Sequence, residues 1–336
     1  MKPIIVTPMG DAAGVGPEII AAAIDEPAVR DNATVVVVGH EEILKRAAAA
    51  MKVSPRFKRI SPDVASIRGE AEEGALNLVH LDNIDLATFE YGKVQAQCGR
   101  AAFECISKSV EICMAGAADA VATTTINKEA LKAAGVPFIG HTEIFAGLTG
   151  TKDPLTMFQV HNLRVFFLTR HLSLADACRA VKKERVLDYI RRCTAALKQL
   201  GLDDASLVVA GLNPHCGEHG LFGDEEDREI TPAIEAAGAE GYKVSGPNPA
   251  DSVFHFALQG RWDAVLSTYH DQGHIATKMV DFHRTISLTL GMPILRTSVD
   301  HGTAFDIAGK GLVSPVSMIE AIRLAALYAG NFKRKQ

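Results

Sequence analysis

The chain opens with IIVTPMGDAAGVGPEIIAAAI (residues 4–24). Ile4–Thr7 is apolar and rich in β-branched residues, which predicts a buried strand. Pro17 stands in the first turn of the next segment, a position that proline favours at a helix start, and Pro17–Ile24 is predicted as that helix. A strand, a short turn and a helix in this order predict a parallel βα unit, and hence an α/β protein.

The turn between these elements carries Gly10, Gly14 and Gly16. Glycines at such a place let the backbone approach a ligand closely. Their spacing is not GxGxxG, and no acidic residue follows a second strand at the distance that a dinucleotide fold requires. We therefore interpret the segment as a structural turn between strand and helix, with an ordinary Rossmann nucleotide site disfavoured.

Outward from this unit, apolar strand-like runs alternate with helical patterns, as in parallel βα folds. Leu155–Val160 and Arg164–Leu168 are separated by three residues only, which predicts an antiparallel hairpin and therefore a mixed sheet. The other predicted strands are Ile4–Thr7, Thr34–Val38, Leu76–Leu81, Ala120–Thr125, Ser206–Gly211, Ala264–Thr268 and Thr285–Leu290, and the predicted helices are Pro17–Ile24, Glu41–Ala50, Val94–Ala115, Lys183–Leu200, Glu225–Ala237 and Ser317–Ala329.

Length and composition favour an enzyme that acts on small molecules. A chain of 336 residues with 47% hydrophobic content can build two domains around a cleft. The net charge is −5 and the basic residues are dispersed, so neither nucleic acid nor a membrane surface is an expected partner. We expect a cytoplasmic protein, because no signal or membrane segment is evident and the six cysteines form no CxxC pair.

Three histidines follow strand-like runs far apart in the sequence. They are His171 in FFLTRH, His215 in VVAGLNPH and His270 in VLSTYH. Ligands of α/β proteins gather beyond the carboxyl ends of parallel strands, so three imidazoles delivered there can converge on one divalent metal ion. Such a ligand set suits Zn²⁺, Co²⁺ or Ni²⁺ better than Mg²⁺. Cys216, beside His215, is a further candidate as a soft ligand.

A second glycine-bearing segment, SVDHGTAFDIAGKG (residues 298–311), resembles the loop that binds the adenosine of the nicotinamide cofactor in isocitrate and isopropylmalate dehydrogenases. Small residues there let backbone groups contact adenine, and Asp306 is the candidate acceptor for ribose hydroxyls. The alternative is a tight loop capped by Asp306. The cofactor-binding candidates are His301, Gly302, Thr303, Ala304, Asp306 and Gly309. The expected cofactor is NAD or NADP, which the sequence does not distinguish.

Eight blocks in order extend this resemblance to the 4-hydroxythreonine-4-phosphate dehydrogenase (PdxA) family. They are GDAAGVGPEI, GKVQAQCG, NKEAL, GHTE, LTRHL, NPHCGEHGLFGDEE, YHDQGHIATK and LRTSVDHGTAFDIAG. The resemblance implies two α/β/α domains of the isocitrate/isopropylmalate dehydrogenase-like type, with the active site in the interdomain cleft. Residues 1–130 and about 285–336 would form a first domain with the nucleotide loop. Residues from about 131 to 284 would form a second domain, with the metal ligands and a homodimer interface across which active sites are shared.

The same resemblance assigns roles to single residues. The family's metal ligands fall on His171, His215 and His270, and its substrate contacts fall on His141, Thr142, Lys278 and Arg296. These four offer the positive charges and hydrogen bonds that a phosphate and a carboxylate require. Lys278 and Arg296 could instead be solvated surface charges, and Thr142 could cap a helix. Asp271, next to His270, could orient a ligand imidazole or relay a proton, and Lys128 is a further candidate for proton transfer, with ordinary salt bridging as the alternative for both. Lys278 is also a candidate for catalysis.

One departure bears on the substrate. The biosynthetic members have an asparagine where this chain has Ser287, and they have an apolar residue where it has His274. The change at Ser287 alters a substrate contact, and the blocks GKVQAQCG and HGLFGDEE resemble a paralogous branch that oxidises D-threonate or D-erythronate 4-phosphate in sugar-acid catabolism. The primary expectation is metal-dependent, NAD(P)-linked oxidation and decarboxylation of 4-phosphohydroxy-L-threonine, as in pyridoxine biosynthesis. The sugar-acid phosphates are the alternative.

Two other classes remain as more distant alternatives. A three-histidine metal site could serve a hydrolase or lyase that uses no nucleotide. A two-lobed α/β chain with a cationic pocket could also be a phosphosugar-binding protein without catalytic activity. The loop at residues 299–311 argues against the first class, and the three histidines argue against the second.

Overall fold

A computed structural model describes residues 2–332. The chain divides into two compact units, unit 1 with Met1–Pro154 and Met292–Gln336, and unit 2 with Leu155–Gly291. Residues 333–336, the end of the predicted first domain, lie outside the described residues. Among the helices of the described chain, none is both long and apolar enough to cross a membrane.

The strands are short and mostly buried. They are β1 (Ile4–Pro8), β2 (Thr34–Gly39), β3 (Phe57–Ile60), β4 (Leu76–His80), β5 (Ala120–Thr123), β6 (Leu155–Val160), β7 (Leu163–Phe167), β8 (Leu207–Ala210), β9 (Val244–Asn248), β10 (Ala264–Ser267), β11 (Ile286–Leu290) and β12 (Leu295–Val299). In unit 1 the order is β3-β4-β2-β1-β5-β12, with every pair parallel. β1 and β2 are buried along their whole length, as is typical of a parallel sheet covered on both faces.

Unit 2 has a mixed sheet with the order β11-β6-β7-β10-β8-β9. β6 and β7 form the predicted antiparallel hairpin, and β11 also pairs antiparallel with β6. The remaining pairs are parallel. The α/β fold with a mixed sheet, predicted from the sequence, is therefore present.

The helices follow the predicted pattern with additional short members. They are α1 (Gly16–Ala23), α2 (Pro27–Arg30), α3 (Glu41–Ala50), α4 (Ile67–Glu70), α5 (Ala96–Met114), α6 (Lys128–Ala133), α7 (His141–Thr149), α8 (Leu174–Arg179), α9 (Lys183–Gln199), α10 (Thr231–Ala239), α11 (Ala250–Leu258), α12 (His270–Val280) and α13 (Val316–Ala329).

The helix predicted over Glu225–Ala237 is divided in two. Glu226–Ile230 forms a single π-helical turn, and α10 starts only at Thr231. Pro232 explains the division, because its ring nitrogen cannot donate the hydrogen bond that would continue the helix from the preceding turn. Single π-helical turns are frequent at functional sites.

Two segments fall in a different unit from the one that the sequence predicts. Residues 131–154 belong to unit 1, because α7 packs against α5. β11 belongs to unit 2, because five of its residues pair with β6, from Ile286 opposite Gln159 to Leu290 opposite Leu155. The sequence pattern shows that these elements exist, but it does not show which neighbour each one contacts.

Candidate active site

In unit 2, His171 and His270 line one cavity of about 300 Å³, together with Arg170, Tyr269 and Asp271. His171 follows β7 and His270 begins α12, just after β10. The centres of the two imidazole rings lie 6.2 Å apart. Both histidines are therefore delivered from the carboxyl ends of neighbouring parallel strands, as the sequence predicts.

The tautomer of His270 is suited to metal binding. Its Nδ1 lies 2.6 Å from the Asp271 carboxylate, so Nδ1–H donates to Asp271 and Nε2 keeps a free lone pair. A carboxylate behind a ligating imidazole is the usual arrangement in metal sites. Asp271, predicted as a group for proton transfer or ligand orientation, thus contacts the proposed ligand directly.

His215 lies in an unusual loop after β8. Residues 215–220 all have positive φ, and four of them are not glycine, namely His215 (52°), Cys216 (58°), Glu218 (44°) and His219 (55°). A left-handed conformation costs roughly 1–2 kcal/mol for each such residue. Backbone strain of this kind persists only where the surroundings over-determine it, and it is concentrated at functional sites.

A buried carboxylate holds the start of this loop. Glu226 is 1% exposed, and one of its oxygens accepts hydrogen bonds from the backbone N–H groups of Leu212 and Asn213, both at 2.7 Å. Its other oxygen accepts from the Asn213 side chain at 2.8 Å, and Glu225 accepts from the same amide at 2.7 Å. The left-handed loop is therefore anchored by the π-helical turn.

Gln272 links the segments that carry His215 and His270. Its side-chain N–H₂ donates to the Gly211 carbonyl at 2.8 Å, and its oxygen accepts from the Thr268 backbone at 2.8 Å. The three histidines are not brought into one tight group, however. Within residues 2–332, the only set of three ligand-type side chains with donor atoms within 4.8 Å of one another lies elsewhere.

Two further groups in unit 2, His274 and Cys216, have strongly shifted pKa values. Burial, assisted by the charges of His270 and Lys278, lowers the pKa of His274 to about 4, so His274 is neutral near pH 7. Burial raises the pKa of the Cys216 thiol to about 11, which disfavours the thiolate that a soft metal ligand requires. The suggestion that Cys216 is a ligand therefore loses support.

In unit 1, Arg296 is a buried cation on β12. It is 3% exposed and donates to Thr123 Oγ1 at 3.0 and 3.2 Å, and its guanidinium carbon lies 5.0 Å from the centre of the Phe145 ring. Burial lowers its pKa to about 9, although Glu143 opposes the shift. Arg296 is thus not the solvated surface charge that the sequence left as an alternative.

His141 is close enough to Arg296 to respond to its charge. Burial lowers the pKa of His141 well below 6.5, and the positive charge of Arg296 lowers it further. Its Nε2 is buried with no hydrogen-bond partner. His141 and Thr142 are the first two residues of α7, whose cap is Gly140, so Thr142 does not cap this helix. Helix N-termini favour anions, and an anion here would meet both α7 and a buried guanidinium.

The remaining predicted substrate and catalytic residues are spread over both units. Lys128 begins α6 in unit 1 and lines a separate cavity of about 650 Å³. In unit 2, Lys278 on α12 lies 5.2 Å from the Phe282 ring, and Ser287 is a half-buried residue of β11 opposite Phe158.

The predicted nucleotide loop packs against the glycine-rich turn of unit 1. Val15 N–H donates to the Thr303 carbonyl at 3.0 Å, and Gly311 N–H donates to Glu18 at 2.9 Å. A Cβ on Gly311 would lie 2.0 Å from the Ala50 carbonyl oxygen, so only glycine fits this approach. Asp306 is exposed, whereas the His301 ring contacts Gly302 and Ser317. The glycine-rich turn is a structural support for this loop.

One histidine-rich group was missed at the sequence level. His40, His80 and Asp82 in unit 1 have ligand atoms within 4.8 Å of one another and could hold a metal ion. His40 follows β2 and His80 ends the neighbouring β4, so the strand-end rule that selected His171 would have found them too. Glu41 N–H donates to His80 Nδ1 at 3.1 Å, which leaves the proton of neutral His80 on Nε2. Metal binding to His80 therefore requires a rearrangement that His270 does not need.

Comparison with known proteins decides the family. Residues 31–325 match the family model described as pyridoxal phosphate biosynthetic protein PdxA. The chain belongs to the PdxA family. A relative from Fusobacterium nucleatum is 59% identical over 99% of both chains, and one from Symbiobacterium thermophilum is 58% identical over 99% of this chain and 98% of its own. Both carry the provisional name D-threonate 4-phosphate dehydrogenase.

The fold agrees with that of a solved member of the PdxA family. The crystal structure of 4-hydroxythreonine-4-phosphate dehydrogenase from Klebsiella pneumoniae superposes with a TM-score of 0.89, at 39% identity over 98% of each chain. The predicted family and fold class are confirmed, and the chain is a dehydrogenase enzyme of the PdxA family.

Proposed function

We propose that the chain oxidises D-threonate 4-phosphate, or its epimer D-erythronate 4-phosphate, with NAD or NADP as the electron acceptor. The observation that carries this proposal is the buried guanidinium of Arg296 beside the N-terminus of α7, which suits an anionic group of the substrate. The full-length relatives support the sugar-acid alternative better than the amino-acid substrate that the sequence first suggested.

The proposed substrate contacts match the groups of a phosphorylated hydroxy acid. Arg296, His141 and Thr142 would bind one anionic end, and Lys278 the other. Ser287 is shorter than the asparagine of the biosynthetic members and would stand near the substrate hydroxyl that replaces an amino group. The secondary alcohol is oxidised to a ketone, and the resulting β-keto acid loses CO₂.

The proposed metal ligands are His171, His215 and His270, which fit a borderline metal such as Zn²⁺, Co²⁺ or Ni²⁺. The open Nε2 of His270 and its Asp271 partner support this assignment. When bound, such an ion supplies a Lewis acid that polarises the substrate oxygen. Asp271 holds the His270 tautomer, and Lys128 and Lys278 are the proposed groups for proton transfer.

For the cofactor, the proposed contacts are the residues of the loop that packs on the glycine-rich turn. The exposed carboxylate of Asp306 suits ribose hydroxyls, and the backbone of the following small residues suits adenine. The proposed contacts are His301, Gly302, Thr303, Ala304, Asp306 and Gly309. A cytoplasmic location fits the proposal, because the six cysteines, all within residues 2–332, form no disulfide with one another.

The proposed partner is a second copy of the chain. Large apolar side chains are exposed in unit 2, including Ile275 (62%) and Met279 (80%) on α12 and Phe282 (58%) after it. Exposed apolar surface of this kind marks association sites. Sedimentation equilibrium of the whole chain is expected to give the mass of a dimer, and a monomer at all concentrations would contradict this.

A substrate panel tests the proposed function. Reduction of NAD⁺ and NADP⁺ is measured with D-threonate 4-phosphate, D-erythronate 4-phosphate and 4-phosphohydroxy-L-threonine, each with Zn²⁺, Co²⁺ and Mg²⁺. We expect a sugar-acid phosphate to be the best substrate. His171→Ala should remove activity, whereas His255→Ala, at an exposed position on α11, should not. Turnover of the amino acid alone would overturn the substrate assignment.

A further inference from the structure

His274 lies on the same face of α12 as the proposed ligand His270. The two are four residues apart, which places their side chains one above the other on a helix. Their ring centres are 4.0 Å apart with 29° between the planes, a stacked arrangement. Such stacking leaves the edge of His270 that bears Nε2 uncovered by His274.

His274 also packs against two phenylalanines of the unit 2 sheet. Its ring stacks on Phe167 at 4.6 Å and 27°, and the Phe158 ring meets it edge-on at 4.3 Å and 69°. Its Nδ1 is buried with no hydrogen-bond partner. The Nδ1 edge of His274 therefore makes no hydrogen bond, while its ring packs against the rings of Phe158, Phe167 and His270.

Gly273 allows α12 to come this close to the sheet. A Cβ at this position would lie 2.6 Å from a ring carbon of Phe167, 2.8 Å from Ser267 Oγ and 2.9 Å from a methyl of Val165. Any larger residue would push the helix outward. The stack of Phe167, His274 and His270 thus depends on a close approach that glycine permits.

We propose that His274 is a positioning residue for the metal site: its ring, backed by Phe167, fixes the ring plane of His270, while Asp271 fixes the Nδ1 edge. The contact of His274 with the ring face and the contact of Asp271 with the Nδ1 edge together define where Nε2 of His270 points. The inference rests on the proposed function, since it takes His270 as a ligand. It assigns a role to the imidazole that replaces the apolar residue of the biosynthetic members.

The test compares two substitutions in the full-length protein after removal of metal with a chelator. His274→Phe keeps a flat ring in the stack, and His274→Leu keeps an apolar side chain without one. Co²⁺ is titrated by calorimetry, and the visible absorption of bound Co²⁺ reports its coordination. His270→Ala serves as the reference for loss of a ligand, and thermal unfolding of each variant is measured beside wild type.

We expect His274→Leu to weaken Co²⁺ binding about 10- to 100-fold, as is typical when a residue supporting a ligand is removed. His274→Phe should bind Co²⁺ nearly as wild type does, with the same absorption spectrum. Wild-type affinity in His274→Leu would overturn the proposal, and so would a Phe variant as weak as the Leu variant, since the nitrogen and not the stack would then matter. Unchanged binding in His270→Ala would instead overturn the metal site itself.

Discussion

Arg296, proposed to bind an anion in unit 1, is buried, whereas the histidines proposed as metal ligands in unit 2 are open to solvent. Arg296 is 3% exposed and the Nε2 of His141 is buried, whereas His171 and His215 are exposed and His270 is half-exposed. Burial changes the chemistry of the first pair, because it lowers the pKa of both side chains. The site proposed for an anion in unit 1 is thus desolvated within the fold, while unit 2 leaves the imidazoles proposed as ligands open to an incoming ion.

The two units also hold their groups by different means. In unit 1, Arg296 is held inside the fold by its hydrogen bonds to Thr123 and its contact with the Phe145 ring. In unit 2, His270 and the loop that carries His215 are open to solvent, and they are held by hydrogen bonds that they donate to the Asp271 and Glu226 carboxylates. The contrast predicts that substitutions in unit 1 change protein stability and activity in opposite directions, and that substitutions in unit 2 act on metal affinity.

The largest expected effect is that of Arg296→Met. It should reduce kcat/KM for the phosphorylated substrate on the order of 10³-fold, because a desolvated charge paired with an anion carries several kcal/mol. Stability should be unchanged or higher, since methionine removes the cost of burying a guanidinium. Steady-state kinetics and denaturant unfolding measure both quantities. Arg323→Met, which removes a half-exposed arginine on α13, is the control. Efficiency within tenfold of wild type would show that Arg296 binds no substrate.

Asp11→Asn should stabilise the protein near neutral pH. Burial raises the pKa of Asp11 from 3.8 to about 6, against a hydrogen bond from Ala13 N–H that lowers it. The folded state therefore favours the protonated carboxyl. The contribution of Asp11 to the free energy of unfolding is complete below pH 3.8 and is lost as pH rises through about 6. The loss corresponds to about 3 kcal/mol above that range.

Denaturant unfolding at about pH 4 and about pH 8 measures this effect, since the two values bracket the shifted pKa. The Asn variant should be more stable than wild type at the higher pH and similar to it at the lower. Asp25→Asn, at an exposed position beside α1, should show no such dependence. Equal stability of Asp11→Asn and wild type at both pH values would contradict the buried, protonated carboxyl.

A smaller effect is expected for Glu226→Gln in unit 2. The glutamine side chain would place its N–H₂ group against the N–H₂ group of Asn213, which now donates to Glu226. If the Asn213 amide turned over to accept instead, its oxygen would lie against the Glu225 carboxylate. The left-handed loop that carries His215 should loosen, and Co²⁺ affinity should fall about 10-fold, at the lower end for residues that support a ligand. Calorimetry measures the affinity. The exposed Glu235→Gln makes the same change of charge and should leave it unaltered.

Much of the fold was predictable from periodicity. The helix over Glu41–Ala50 and the hairpin at residues 155–167 are where the sequence predicts them, because each depends on local pattern. β9 was missed, since Gly246 and Pro247 are turn residues that hide a strand. Pro247 is tolerated there because β9 lies at the edge of the sheet of unit 2.

For the candidate site, the sequence predicted which residues to consider but not how their neighbours position them. Strand-end position selected His171 and His270, and the family resemblance selected Arg296. The roles of His274 and Glu226 were not predictable, because a stacked ring and a buried carboxylate are recognised only by their neighbours. The group of His40, His80 and Asp82 follows the same strand-end rule as His171, and it shows that the rule selects candidates without ranking them.

By itself, the sequence determined the α/β architecture, the family and the side chains available for chemistry, since these depend on order and pattern along the chain. Only the tertiary structure decided that Arg296 is desolvated beside Thr123, 173 residues away, and that Glu18 holds, at Gly311, 293 residues away, the loop proposed to bind the nucleotide. Burial, tautomer and pKa depend on atoms that come together only on folding. For that reason, the chemistry available to each side chain follows from the fold and not from its position in the sequence.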